Sequence, residues 1–253
     1  MGFKSNEDSS TIDNKKVFLI GSIIALFTGL ILRRNLSAEY YMFQEFGLFK
    51  MVTAPTSALE WFKLIRINLF EGLLLLNFFD LVNYFFVVII FYILYYVLKY
   101  ENEFLMRLSA LFSFTGMAIY FSSHNSLTLI TLSQQYYASS VQADRERILL
   151  IAESLLSTTN PMTDLDQLDT LLAIFLIFLA GTIISYVMLK GSIFGKKTAI
   201  IGLIANCIGM LHFPFVFFLP TLAVIPTPLS APFLMIWYIL IGIRLYKLYK
   251  ETD

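Results

Sequence analysis

Residues 168–189 read LDTLLAIFLIFLAGTIISYVML, and Asp169 is the one charged residue among them. Crossing the hydrocarbon core of a bilayer takes about 20 predominantly apolar residues. A helix satisfies this environment because it pairs its backbone groups internally, without water. A run of this length and composition therefore predicts a membrane-spanning helix.

The composition of the whole chain agrees with a membrane location. Apolar residues make up 58% of the 253 residues and charged residues 14%, whereas soluble domains are close to half apolar and a quarter charged. The 25 Phe and 14 Tyr residues suit lipid-facing surfaces and interfacial belts. The formal net charge is zero, so the chain has no overall basic field for nucleic acid, and none is expected as a partner.

Five further apolar runs give the predicted fold, an all-α polytopic membrane bundle of about six transmembrane helices. Residues 1–16 are expected to be a polar tail and residues 17–250 a single transmembrane domain. The first run follows Lys15 and Lys16 and precedes Arg33 and Arg34 without a small-residue cleavage site, so it is interpreted as an uncleaved span. The predicted spans are residues 17–32, 69–98, 104–132, 168–189, 198–219 and 232–246.

Amphipathic patterns predict further helices in the first and third loops. Residues 36–47 place apolar side chains on one helical face, which indicates a short interfacial helix. Ser57 and Glu60 then have capping-box spacing, so a helix is expected to begin near Ala58. This helix could run on into the second span, with a bend at Gly72.

In the third loop, Ser139 and Gln142 repeat the capping-box spacing. They precede a mixed apolar and charged stretch that ends before Pro161. This pattern predicts an amphipathic helix lying over the mouth of the bundle.

The distribution of Lys and Arg predicts the orientation. With both termini in the cytoplasm, the inner segments hold eleven of these residues and the outer segments seven. Cytoplasmic loops carry an excess of Lys and Arg. We therefore expect a multi-pass protein of the cell membrane with cytoplasmic N- and C-termini.

Ionisable and amide side chains inside the apolar runs are the candidate functional residues, because burying them in hydrocarbon is costly unless they are paired or wetted. Five residues form the candidate pocket for a ligand or ion. They are Asn77 and Asp80 in the second span, His124 and Asn125 in the third, and His212 in the fifth.

Each candidate also has a structural interpretation. Asp80 can be hydrogen-bonded within the bundle, and His124 and Asn125 can lie near the outer surface and bond between helices. His212 stands two residues before Pro214, which should kink the helix. In the same span Asn206 accompanies a face of small residues suited to close helix packing, namely Gly202, Ala205 and Gly209.

A metal site has weaker support. Asp80 and the only two histidines, His124 and His212, are predicted in the outer half of the membrane and could ligate a divalent ion. However, the histidines lack paired spacing, and Cys207 is the only cysteine. No metal and no cofactor are therefore predicted.

Two segments resemble an uncharacterised prokaryotic family, domain of unknown function 4386. The resemblance covers most of the chain and implies a six-span membrane fold, and it brings no activity, ligand or site residue. The matching residues are Ser133-Gln134-Gln135-Tyr136, Ala143, Arg145, Leu149, Ala152-Glu153 and Leu155-Leu156 in the third loop, and Ile236-Trp237-Tyr238 with Gly242-Ile243-Arg244-Leu245 in the last span.

Three functions are compatible with these residues. The preferred one is a non-enzymatic protein that binds a lipid, a small amphiphile or a membrane partner in a pocket beneath the third-loop helix. The second is an ion- or proton-coupled transporter that uses Asp80. The third is a metal-dependent membrane hydrolase. The bilayer itself is the expected partner in all three.

Overall fold

A computed structural model describes residues 15–30, 55–76, 78–158 and 168–252 of the chain, and all regular structure in these ranges is helical. The predicted all-α class is therefore confirmed. Residues 15–30 are helical and are called α1. The following helices are α2 (Ala58–Ile67), α3 (Leu69–Leu75), α4 (Phe78–Leu98), α5 (Glu103–Ser123), α6 (Ser126–Ala138), α7 (Gln142–Thr158), α8 (Leu168–Lys190), α9 (Lys196–Met210), α10 (His212–Phe218) and α11 (Pro226–Glu251), with a 3₁₀ turn at Pro220–Leu222.

Five stretches of the described chain are long and apolar enough to cross a membrane. They overlap the second to sixth predicted spans, whereas the first span extends beyond the described end of α1. The count of six spans therefore stays a prediction. The five stretches are Phe78–Leu98, Glu103–Ala138, Leu168–Lys190, Lys196–Phe218 and Pro220–Glu251.

The chain divides into two compact units. The first unit consists of the described residues within 1–34, 83–117 and 172–253. Its core joins side chains of α1, α4, α8 and α11, represented by Ala25, Phe91, Ile184 and Trp237. The indole of Trp237 is fully buried and meets the Phe91 ring edge-on, with 6.0 Å between ring centroids.

The second unit consists of the described residues within 35–82 and 118–171. Its core forms where α2, α6 and α7 pack together. Helix α2 buries Trp61, Phe62 and Ile65, a helical spacing that places them on one face. The Glu153 carboxylate of α7 accepts a hydrogen bond of 2.7 Å from the Ala58 amide, so α7 caps the start of α2.

The predicted helix starts are present, but their caps differ from the expected boxes. The Ser57 hydroxyl accepts from the Glu60 amide, whereas the Glu60 carboxylate binds Thr56. At the start of α7 the Ser139 hydroxyl accepts a hydrogen bond from the amide of Val141, whereas the expected box would use the amide of Gln142. The position of α7 over the bundle mouth stays a prediction.

The helix that begins at Ala58 does not run on into the second span, and the chain breaks at Asn68 rather than at Gly72. Asn68 has φ −142° and ψ 86° and ends α2. Its side-chain oxygen accepts from the backbone amide of Glu71 at 3.2 Å, and its side-chain NH₂ group donates to the Glu71 carboxylate at 3.1 Å. This reciprocal pair caps α3 and stabilises a new helix start in place of the continuing helix.

The third predicted span is also interrupted, at His124 and Asn125 between α5 and α6. The hydroxyls of Ser122 and Ser123 return hydrogen bonds of 2.8 and 3.0 Å to carbonyls of their own helix. The Asn125 amide donates to the carbonyl of Ser123 at 3.3 Å. Such local bonds compete with the helical ladder and account for the break.

Helix α11 is longer at both ends than the predicted span 232–246. Pro226 and Pro228 occupy its first turn, where a missing amide hydrogen costs little. Residues 1–14 of the predicted tail 1–16, the interfacial helix 36–47 and Asn77 lie outside the described residues, whereas Lys15 and Lys16 of that tail are already helical in α1.

Candidate functional site

His212 lies at a break in the apolar stretch Lys196–Phe218, which corresponds to the fifth predicted span. Helix α9 ends at Met210, and α10 begins at His212. Pro214 has no amide hydrogen and so cannot donate to the carbonyl of Met210, four residues earlier. The backbone forms a tighter turn at this point, because the amide of Leu211 donates to the carbonyl of Ile208, only three residues earlier, at 3.0 Å. The proline thus fixes the position from which the imidazole extends.

One nitrogen of the His212 imidazole is held by the backbone. Nδ1 lies 2.8 Å from the carbonyl oxygen of Ala223, in the segment between the 3₁₀ turn and α11. A carbonyl oxygen can only accept a hydrogen bond, so Nδ1 is the donor and carries the hydrogen. In the neutral imidazole, Nε2 is then a hydrogen-bond acceptor.

The other nitrogen is buried and unpaired. The side chain of His212 is 3% exposed, and Nε2 has no hydrogen-bond partner among the described residues. Leaving a buried polar atom unpaired costs about 1–3 kcal/mol. Nε2 can therefore accept a hydrogen bond from a hydroxyl, an amine or a water molecule that reaches it.

A second set of buried polar groups joins α8, α9 and α11 in the same unit. A Cβ atom at Gly202 would lie 2.3 Å from both Ser185 Oγ and Trp237 Nε1, so the three residues meet at one point. The Ser185 hydroxyl donates to the carbonyl of Gly181 at 2.8 Å. Trp237 Nε1 is buried and has no acceptor in the described part of the chain.

Asn206 packs beside this point and is 1% exposed. Its amide donates to the carbonyl of Gly202 at 2.8 Å. Its side-chain oxygen occupies the space beside Gly181, 2.1 Å from where a Cβ atom would be. Asn206 is therefore a packing residue between α8 and α9. Of this set, the sequence pattern singled out Gly202 and Asn206, but it did not select Gly181, Ser185 or Trp237 as site residues.

His124 and Asn125 lie in the second unit and contact residues close to them in the chain. Both are half-buried, and the His124 ring lies 5.1 Å from the ring of Tyr120, measured between centroids. The adjacent Ser123 hydroxyl accepts a 3.3 Å hydrogen bond from Thr170. The hydrogen bond between Thr170 and Ser123 joins the start of α8 to the end of α5.

Asp80 is half-buried in the first turn of α4. A carboxylate at this position is favoured by the helix dipole, whose positive end is at the N-terminus. The structure therefore gives Asp80 a local electrostatic role in its own helix. Its role as an ion or proton site stays a prediction.

Of the five predicted pocket residues, His124 and Asn125 are consecutive in the chain, so their proximity follows from the sequence alone. Asp80 shares their unit, whereas His212 belongs to the first unit. The convergence of these residues on one pocket stays a prediction. Within the described ranges, no three His, Cys, Asp or Glu side chains are grouped closely enough to hold a metal ion.

Long apolar helices with polar groups buried between them define this chain as an all-α, multi-pass membrane protein. A family model described as a domain of unknown function (DUF4386) matches residues 17–246. The chain belongs to that family, which confirms the resemblance carried by the third loop and the last span. No curated protein and no solved structure matches the chain.

Proposed function

We propose that this protein is a non-enzymatic membrane protein that binds a small amphiphile or lipid carrying a hydrogen-bond donor. The observation that supports this function is the buried, unpaired Nε2 atom of His212. A hydroxyl or amine on a bound molecule would satisfy this atom. The ligand class is therefore an amphiphile with an alcohol or amine group.

The geometry of His212 favours binding over a purely structural role. Its bond to Ala223 already fixes the ring, because Nδ1 is held at 2.8 Å. Packing alone would leave Nε2 desolvated without compensation, which is unfavourable in an environment that lacks water. A fixed acceptor in an apolar setting also gives specificity, because a ligand without the donor leaves the acceptor unpaired.

The proposed location is the cell membrane, with both termini on the cytoplasmic side. Support comes from the excess of Lys and Arg in the segments assigned to that side. Transport through Asp80 and metal-dependent hydrolysis are the alternatives.

The test compares two matched amphiphiles on the full-length chain in detergent, 1-dodecanol and dodecyl methyl ether. The ether has the same apolar chain but no donor. Native mass spectrometry should show the alcohol binding about fivefold to tenfold more tightly, the value of one added hydrogen bond. Equal binding of the two probes would refute a role for an acceptor.

Two variants separate binding from folding. In His212→Asn the side-chain amide nitrogen takes the place of Nδ1 and keeps the bond to Ala223, while the Nε2 acceptor is lost. This variant should fold normally and bind the alcohol and the ether equally. The control is Cys207→Ser, at an exposed position of α9 outside the candidate pocket, which should keep the preference for the alcohol. Loss of the preference in both variants would count against the site.

A further inference from the structure

The ends of several helices meet at one end of the first unit. After α4, the carboxylate of Glu101 accepts hydrogen bonds from the amide and hydroxyl of Ser192, which follows α8, at 2.9 and 3.1 Å. Near the end of α11, the guanidinium of Arg244 donates to the carbonyl of Ile193 at 2.7 Å. These contacts bring the ends of α4, α8 and α11 together, and we call this region the basic end.

Among its described residues, the basic end carries an excess of positive charge. Its three glutamates are already engaged: Glu101 with Ser192, Glu103 with Arg107 and Glu251 with Arg244. Residues 15–16, 99–107, 190–197 and 244–251 together contain these three acids and ten cationic side chains. The cations are Lys15, Lys16, Lys99, Arg107, Lys190, Lys196, Lys197, Arg244, Lys247 and Lys250.

Four of the lysines lie over tyrosine rings. The distances from Nζ to the ring centroid are 4.7 Å for Lys99 over Tyr96, 5.9 Å for Lys190 over Tyr186, 4.9 Å for Lys250 over Tyr246, and 5.2 Å for Lys15 over Tyr249. Tyr rings at the ends of apolar helices are typical of the membrane interface. A lysine stem lying along such a ring holds its ammonium group at the level of the lipid headgroups.

Three of these four tyrosines are exposed, and the fourth, Tyr249, is half-buried. Tyr96, Tyr186 and Tyr246 are 36%, 46% and 42% exposed. Each lies one helical turn before its lysine, so ring and ammonium stand together on the flank of a membrane helix. The flank of such a helix contacts lipid, and the ammonium groups are therefore placed beside headgroups.

We propose that the basic end binds the phosphate groups of anionic phospholipids in the adjoining leaflet and selects them over zwitterionic lipids. The excess of cations attracts the negatively charged headgroups. The lysine–tyrosine pairs hold the ammonium groups at the depth of those headgroups in the bilayer. Binding of a soluble anion would require only the positive charges. Binding of a phospholipid also uses the apolar flank of the helices, which contacts the rest of the lipid. The proposal is independent of the His212 site.

The test measures lipid selectivity of the full-length protein. Native mass spectrometry with phosphatidylglycerol and phosphatidylcholine of the same chain length should show tighter binding of phosphatidylglycerol. The double variant Lys190→Gln/Lys250→Gln should weaken phosphatidylglycerol binding at least fivefold, because each cation near the surface contributes to the attraction. Phosphatidylcholine binding should be unchanged.

Three controls make the outcome decisive. Lys190→Arg/Lys250→Arg should keep the selectivity because the charge is kept. Lys63→Gln/Arg147→Gln removes two exposed cations from the second unit and should also leave selectivity unchanged. Glycerol 3-phosphate in excess should not displace the lipid. Equal loss in both glutamine pairs, or displacement by glycerol 3-phosphate, would overturn the proposal.

Discussion

The carboxylate of Glu153 accepts a hydrogen bond of 2.7 Å from the backbone amide of Ala58, which lies 95 residues earlier in the chain. The contact joins the middle of α7 to the first turn of α2. Amides at a helix start have no partner within the helix. A carboxylate from another helix therefore serves as the cap and fixes the packing of the second unit.

Removal of this cap should destabilise the second unit. Glu153→Ala is expected to lower its free energy of unfolding by about 1 kcal/mol, as for the loss of a helix cap. Trp61 lies in the second unit and Trp237 in the first, so fluorescence of Trp61 in a Trp237→Phe background reports this unit. Glu146→Ala on the same helix is the control and should have a smaller effect. Equal effects of the two variants would contradict the capping role.

The stability of the α2 start should depend on pH through Glu60. Two hydrogen bonds from Thr56, of which the backbone one is the stronger influence, lower the pKa of the Glu60 carboxyl group. A carboxylate with a lowered folded-state pKa stabilises the fold above its ordinary pKa, and this contribution is lost as the pH falls through the folded-state value. The unfolding midpoint of Glu60→Gln should therefore lie below that of the wild type at neutral pH and converge with it in acid.

Thr56→Ala provides the control for that measurement, because it removes the hydroxyl donor and keeps the backbone amide. It should retain most of the difference between neutral and acid pH. A midpoint for Glu60→Gln that runs parallel to the wild type at every pH would show that the Thr56 contacts do not stabilise the ionised carboxylate.

The contact between α8, α9 and α11 should not tolerate a methyl group at Gly202. A Cβ atom there would lie 2.3 Å from Ser185 Oγ and Trp237 Nε1, and such overpacking costs about 1–3 kcal/mol. Gly202→Ala should lower the unfolding temperature, monitored by Trp237 fluorescence in a Trp61→Phe background. At Gly195 no described atom outside the glycine and its two chain neighbours lies within 4 Å of where a Cβ atom would be, so Gly195→Ala should have a smaller effect. The reverse order of effects would rule out this packing.

The proposed orientation can be tested by labelling single cysteines. Cys207 is the only cysteine, so Cys207→Ser gives a cysteine-free background. Tyr100→Cys, in the loop after α4 at an 86% exposed position, should react with an impermeant maleimide only after the membrane is opened. Leu150→Cys, 71% exposed on α7, should react in intact cells. The opposite pattern would reverse the orientation.

The long apolar helices could be predicted from sequence because lipid imposes the same requirement on every residue of a span. Their interruptions could not, and Asn68 shows why. Asn68 and Glu71 lie three residues apart in the sequence. This spacing is compatible with two side chains on one helix face or with a capping pair. The choice between them depends on the backbone angles at Asn68, which composition does not specify.

The candidate site was predictable in part. His212 and Pro214 lie two residues apart in the sequence, so the combination of an imidazole and a helix break was evident. The partner of Nδ1 is the carbonyl of Ala223, and any residue type supplies a carbonyl, so no sequence signal marks it. Trp237 meets Ser185 only because Gly202 lets two helices approach, and a pattern within one helix does not show which neighbour lies against it.

The glycine at position 202 has a consequence for how this fold responds to its surroundings. Helices that already lie in lipid gain little from hiding apolar surface, and close dispersion contact takes over as the force that joins them. Such an interface should be insensitive to ionic strength. The interface should instead respond to the lateral pressure and the acyl-chain packing of the bilayer. The free energy of unfolding of the first unit should therefore depend on lipid composition.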